Sequence, residues 1–160
     1  MSTVQKVAAD TIICDRVLAW LHAHPIASLG VYHPIRKEPD LHALYNVLSA
    51  QGVHLSLPII LGQDQALGFV RWTPGDALVK DTLGTSVPVE RVAVQPQALL
   101  IPCLGFNAER IRLGYGGGFY DRTLALQPRP LAIGVAYAHA LREFPGEPHD
   151  MVLDVIITGP

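Results

Sequence analysis

Ala98 to Ile101 is a continuous apolar run ending at Pro102, and Leu131 to Tyr137 and Leu153 to Ile157 have the same character. A strand built this way has no polar face to offer water, so it must be covered on both sides. Strands of this kind, separated by helical segments, predict an α/β fold of three layers with a largely parallel central sheet and helices on both faces. A length of 160 residues supports one domain, 1–160, with a substantial core. Hydrophobic residues make up 49% and charged residues 16%, a balance that excludes disorder and a coiled coil.

The remaining elements follow from periodicity and punctuation. Ile13, Val17, Trp20 and Leu21 recur at helical spacing between Asp10 and His22, with Asp10 or Thr11 as N-cap and Pro25 beyond the end. Ser28 to Tyr32 reads as a short strand, after which Asp40 is placed to cap a helix carrying Leu41, Leu44, Tyr45 and Leu48, closed by Gly52. His54 to Ile60 and Leu67 to Trp72 read as strands joined through Gly62-Gln63-Asp64, and Thr73-Pro74-Gly75-Asp76 as a further turn. The stretch Thr82 to Gln97 is expected to be mostly irregular. Phe119 to Leu126 has helical potential.

A net charge of −2 gives no global attraction to a polyanion, so neither nucleic acid nor an anionic membrane surface is an expected partner. No apolar run approaches the ~20 residues of a membrane span, and the N-terminus carries no signal-like pattern. Cys14 and Cys103 lie in apolar surroundings and read as buried free thiols of a reducing compartment, hence a cytoplasmic protein, monomeric or weakly homo-oligomeric.

Chemistry concentrates in Arg110-Ile-Arg-Leu-Gly-Tyr-Gly-Gly-Gly-Phe-Tyr-Asp-Arg122. Gly114, Gly116, Gly117 and Gly118 strip side chains from a short loop, which permits positive φ and lets backbone N–H groups converge on an anion. A helix opening at Phe119 adds its N-terminal dipole. Arg110, Arg112 and Arg122 flank the loop, and Asp121 is placed to hold a Mg²⁺ that bridges phosphate oxygens. The pattern is neither a Walker A loop, which needs Lys-Ser/Thr after its last glycine, nor a dinucleotide fingerprint at a first βα turn. A glycine turn kept for shape alone remains the alternative on the glycines by themselves.

The composite word Arg112-Leu-Gly-Tyr-Gly-Gly-Gly-Phe-Tyr-Asp-Arg122 closely resembles the signature of the 5-formyltetrahydrofolate cyclo-ligase, or methenyltetrahydrofolate synthetase, family. The resemblance runs from about Asp10 to the C-terminus through Val31-Tyr32-His33-Pro34 with Glu38, Leu67 to Asp76, Ile101 to Phe106, and Glu147-Pro148-His149-Asp150 with Asp154. It implies an ATP- and Mg²⁺-dependent ligase acting on a reduced folate. Gly114, Tyr115, Gly116, Gly117, Gly118, Phe119, Tyr120 and Asp121 would bind ATP, with Arg112 or Arg122 steadying the phosphates. Asp121 and Asp150 would hold the metal, while His33 and Glu38 would meet the folate. In the implied reaction the formyl oxygen of 5-formyltetrahydrofolate takes the γ-phosphoryl group, and a ring nitrogen then closes on the activated carbon to give the 5,10-methenyl product, ADP and phosphate.

Four positions depart from the family pattern: Leu83 and Val87 stand where an aromatic and an acid are usual, Gln97 replaces an aspartate, and Cys103 a glycine. The family's basic N-terminal helix also has no counterpart, since Lys6 is the one basic residue before Arg16. These departures predict weak ATP binding and low turnover, and they keep open a relative that binds a nucleotide or folate-like ligand without ring closure.

Overall fold

In the computed structural model, which describes residues 1–35, 37–82, 84–113 and 117–160, seven strands among those residues form one sheet. They are β1 (Ser28–Gly30), β2 (His54–Ile60), β3 (Leu67–Arg71), β6 (Ala93–Val94), β7 (Ala98–Pro102), β10 (Leu131–Ala136) and β11 (Val155–Thr158). The order is β11-β10-β7-β1-β2-β3-β6, parallel from β11 to β2 and antiparallel for β3 and β6. Two small hairpins stand outside it: β4 (Leu78–Lys80) with β5 (Ser86–Pro88), and β8 (Gly105–Phe106) with β9 (Arg112–Leu113).

The apolar runs fill both faces by simple alternation. Ala98 and Leu100 of β7 and Ile133 and Val135 of β10 face one core, which α1 (Thr3–Ala23) and α2 (His42–Ala50) cover with Ile13, Val17, Leu21, Leu44, Tyr45 and Leu48. Leu99 and Ile101 of β7 and Ala132 and Ala136 of β10 face the other, where Leu124 of α3 (Phe119–Leu124) and Leu153 pack. Gly134 has no room for a side chain, since a Cβ would lie 2.7 Å from Leu153. None of the described helices is long and apolar enough to cross a membrane.

Two local expectations change. The first helix begins at Thr3, not near Asp10, because Ser2 and Gln5 form a reciprocal capping box, with the Gln5 amide donating to Ser2 Oγ (3.1 Å) and the Ser2 amide to Gln5 Oε1 (2.7 Å). Residues 3–8 carry no buried side chain, so apolar spacing could not reveal them. Leu41, not Asp40, is the N-cap of α2, although Asp40 Oδ1 still accepts from the His42 amide at 3.1 Å. Thr82 to Gln97 is mostly irregular, as expected, and its described residues include β5 and β6, strands too short to show a period.

Asp10, far from capping α1, is one of its buried residues, 7% exposed, where Lys6 Nζ reaches it at 2.7 Å and the Tyr137 hydroxyl donates to it at 2.6 Å. That bond ties α1 to the chain leaving β10. Burial first, and then the Asp10 carboxylate, raise the Tyr137 hydroxyl above its ordinary value. The neutral phenol is therefore the form the fold favours: its contribution is complete below the usual phenol value of about 10 and is lost as pH climbs beyond it. Tyr137→Phe is expected to lower the unfolding free energy by about 1.5–3 kcal/mol, the range for a hydrogen bond to a charged group. Urea unfolding at neutral pH checks the size, and the same curves above pH 10 should converge for the two proteins.

Candidate functional site

Strand order reverses between β1 and β7, since the chain passes from β1 to β2 on one side and from β7 to β10 on the other. In open α/β sheets such a reversal opens a crevice outside the carboxyl ends of the strands. A cleft of about 660 Å³ lies there, bounded by Tyr32 and His33 after β1, Pro102 at the end of β7, Arg112, Gly117 to Asp121, and the 144–150 segment.

The 31–41 connection is braced by phenols. The Tyr45 hydroxyl donates to Tyr32 O (2.8 Å), and the Tyr32 hydroxyl donates to Pro39 O (2.7 Å). Burial pushes both hydroxyls well above the ordinary phenol value, so both remain donors. Glu38 is 6% exposed yet lines the cleft, and its Oε1 accepts from the Ile35 amide at 2.9 Å. His33 also lines the cleft, its ring edge-on to His42 at 5.1 Å. Desolvation, then the His42 ring and Lys80, lower its pKa, while Asp40 pulls the other way, which leaves a neutral imidazole at neutral pH.

Arg112 reaches the cleft from β9. Its Nη2 donates to Pro102 O (2.9 Å), the guanidinium lies 5.0 Å over the Tyr120 ring, and its buried Nε has no partner among the described residues. Cys103 sits behind it, buried; loss of solvent pushes the thiol up to about 11 against the pull of Arg112, so it stays protonated. Among the described residues Arg112 is the one lysine or arginine on the cleft, against the carboxylates of Glu38, Asp121, Glu147 and Asp150.

Gly114, Tyr115 and Gly116, like Leu83, lie outside the described residues. Of the glycines that follow, Gly118 has the positive φ (69°) and caps α3, whereas at Gly117 the obstacle is contact, a Cβ there falling 2.8 Å from the Phe119 ring. The helix that Gly118 opens has six residues, so its dipole is short. Phe119 and Tyr120 line the cleft with it. Arg122 does not line it: Nη1 donates to Gly117 O (2.8 Å) and Nη2 to Asp64 Oδ1 (3.2 Å). Arg110 is likewise directed elsewhere, its Nε donating to Leu153 O at 2.9 Å.

Asp121 and Asp150, 29 positions apart in the chain, come together here. With His149, which the sequence reading did not place at a metal, they offer ligand atoms all within 4.8 Å of one another. One oxygen of each carboxylate is oriented by a backbone amide, Met151 N–H to Asp121 Oδ1 (3.1 Å) and Glu147 N–H to Asp150 Oδ2 (2.7 Å). Two anchored carboxylates suit a hard divalent ion, so the donor set fits Mg²⁺. His149 was legible only as the neighbour of Asp150. Asp154 works elsewhere, accepting from the Ala132 amide (2.7 Å) and lying 3.5 Å from Arg129. Two departures also find structural roles: Gln97 Oε1 accepts from the Ala27 amide (2.7 Å) just before β1, and Val87 is fully buried in β5.

Comparison with known proteins bears on the family and the fold. The sequence model of the 5-formyltetrahydrofolate cyclo-ligase family matches residues 1–159, so the likeness begins nine residues before Asp10. A 5-formyltetrahydrofolate cyclo-ligase of Mycoplasma pneumoniae is 28% identical over 98% of this chain and 88% of its own length, and one of Mycolicibacterium smegmatis is 31% identical over 90% and 80%. Among solved structures, the 5,10-methenyltetrahydrofolate synthetase of M. pneumoniae superposes with a TM-score of 0.81 at 28% identity, covering 98% of this chain and 88% of that one. The Aquifex aeolicus synthetase gives 0.82 at 26% identity, covering 99% and 81%.

The carboxylate pair makes a direct prediction. Asp121→Asn and Asp150→Asn should each weaken Mg²⁺ binding about tenfold or more, because each removes a full charge from the donor set. Asp154→Asn should leave it intact. Mg²⁺ titration followed by the shift in melting temperature of all four proteins checks this.

Proposed function

Because the chain belongs to the 5-formyltetrahydrofolate cyclo-ligase family, we propose that it converts 5-formyltetrahydrofolate and ATP into 5,10-methenyltetrahydrofolate, ADP and phosphate, with Mg²⁺ bound. It is accordingly a ligase. The observation that carries the reading is that one cleft, at the strand reversal, joins the end of the glycine loop, the Asp121–Asp150 pair and the buried Glu38.

The charge around the cleft supports a metal–nucleotide. Four carboxylates face one guanidinium among the described residues, a lining that repels a bare polyphosphate and accepts one whose charge a divalent ion has already reduced. Asp121 and Asp150, with His149 beside them, would hold that ion. Gly117, Gly118, Phe119 and Tyr120 would form the described part of the nucleotide seat, and Arg112, whose guanidinium is held by the Pro102 carbonyl through Nη2 and lies over the Tyr120 ring, would offset phosphate charge. When bound, ATP supplies the phosphoryl group that turns the formyl oxygen into a leaving group.

The folate side is where Glu38 and His33 share the cleft with Leu57, Pro58, Ile60 and Leu67. Apolar walls with a few fixed polar groups suit a flat heteroaromatic ring whose edge carries donors. Glu38, oriented by the Ile35 amide, would bind that edge, and neutral His33 adds no charge repulsion toward a cationic product. Closing residues around the reactants raises their effective concentration and keeps water from the activated carbon.

Three basic residues are engaged away from the cleft: Lys6 with Asp10, Arg110 with Leu153 O, and Arg122 with Gly117 O and Asp64. Nucleotide affinity is therefore expected to be modest and steeply dependent on Mg²⁺. Residues 1–160 would act as one domain, as a monomer or weak homo-oligomer, and the free buried Cys14 and Cys103 are in keeping with the cytoplasm.

The near-ultraviolet absorbance of the methenyl product provides the test. Product should accumulate only when 5-formyltetrahydrofolate, ATP and Mg²⁺ are all present, with one ADP per product. Glu38→Gln should lower kcat/KM for the folate at least about tenfold, or ~1.4 kcal/mol, in a protein that still melts cooperatively. Binding of both ligands without product would instead identify a relative that binds without ring closure.

A further inference from the structure

We propose that Asp64, in the turn between β2 and β3, is a positioning residue for the nucleotide loop and acts through Arg122. This rests on the reading of the glycine loop as the nucleotide seat. The Arg122 guanidinium spans two partners from different parts of the chain, Gly117 O at 2.8 Å and Asp64 Oδ1 at 3.2 Å. It lies so close over Gly118 that a Cβ there would fall 3.3 Å from Nη2, and 5.9 Å from the Phe119 ring centre. Gly117 thus lies against a ring and Gly118 against a guanidinium, and the guanidinium is itself held from the β2–β3 turn.

The consequence follows from the geometry of one peptide unit. The Gly117 carbonyl and the Gly118 N–H belong to the same planar trans peptide, so they point in opposite directions. Holding that oxygen on Arg122 turns the Gly118 N–H to the side away from the guanidinium. Gly118 lines the cleft, so Arg122 aims an amide at the anion without touching it. Asp64 fixes which way Arg122 reaches; without it, a guanidinium about one-third exposed has other rotamers open to it. A second tie runs beside the first, Thr123 Oγ1 accepting from the Leu67 amide (2.9 Å) and donating to Phe119 O (2.7 Å). The β2–β3 hairpin therefore grips α3 at two points, one buried and one exposed.

Asp64 has φ of 59°, so the informative variants are those that tolerate this backbone: Asp64→Gly removes the carboxylate, and Asp64→Asn keeps an acceptor without the charge. Asp64→Gly is expected to raise the KM and the calorimetric Kd for Mg-ATP about fivefold, the upper range for an exposed ion pair, with KM for the folate and kcat within twofold. Asp64→Asn should fall between it and the parent. Arg122→Ala should show the same split more strongly, and adding Asp64→Gly to it should cost nothing further. The proposal is overturned if Asp64→Gly leaves both ATP constants unchanged, if the folate KM rises in parallel, or if the two substitutions are additive. Calorimetry needs no turnover, so shifted ATP affinity in proteins that make no product would sink the cyclo-ligase reading and leave the positioning role standing. Failure of the parent protein to bind Mg-ATP would sink both.

Discussion

The reversal of strand order between β1 and β7 is the constraint on which the site depends. Parallel strands wound outward in both directions leave their carboxyl ends diverging at the point of reversal, and the chain leaving each strand must go to opposite faces. Tyr32 and His33 leave β1 on one rim and Pro102 ends β7 on the other. The end of the glycine loop, the acidic pair and Glu38 then collect around a crevice that the sheet itself creates. Their separation along the sequence, from residue 33 to residue 150, is a property of the winding.

That winding requires a core on both faces, and the alternation along β7 and β10 supplies it. This part was legible from the sequence, because runs such as Ala98 to Ile101 admit no other placement, and the elements 54–60, 98–102 and 131–136 fall where the pattern puts them. What was not legible had too little length or too little apolar content to leave a trace. β5, β6, β8 and β9 have two or three residues each, and the start of α1 is set by a Ser2–Gln5 capping box, with no buried side chain among residues 3–8. Short strands owe their place to what they pair with, which is tertiary information.

The site divides along the same line. Asp121 and Asp150 could be named from motifs, yet their meeting depends on the 144–151 segment folding back to α3, where the Met151 amide bonds Asp121. The arginines were recognised as a cluster, but a long side chain can serve either of two neighbourhoods from the same Cα. Arg112 turns to the cleft, whereas Arg110 turns to Leu153 and Arg122 to Gly117 and Asp64. Sequence proximity to the glycines could not separate these three fates.

The tyrosine brace on the 31–41 connection sets it apart from the opposite wall of the cleft. With the Tyr45 hydroxyl on Tyr32 O, the Tyr32 hydroxyl on Pro39 O and the Glu38 carboxylate on the Ile35 amide, this wall is closed upon itself by short bonds from inside the fold. The opposite wall, from Phe144 to Asp150, contains no helix or strand; the Asn107 side chain donates to Phe144 O, and backbone amides bond Asp121 and Asp150. One wall thus draws its shape from buried phenols and the other in part from the two carboxylates themselves, so an ion bound between Asp121 and Asp150 would pull on the same atoms that hold that wall in place.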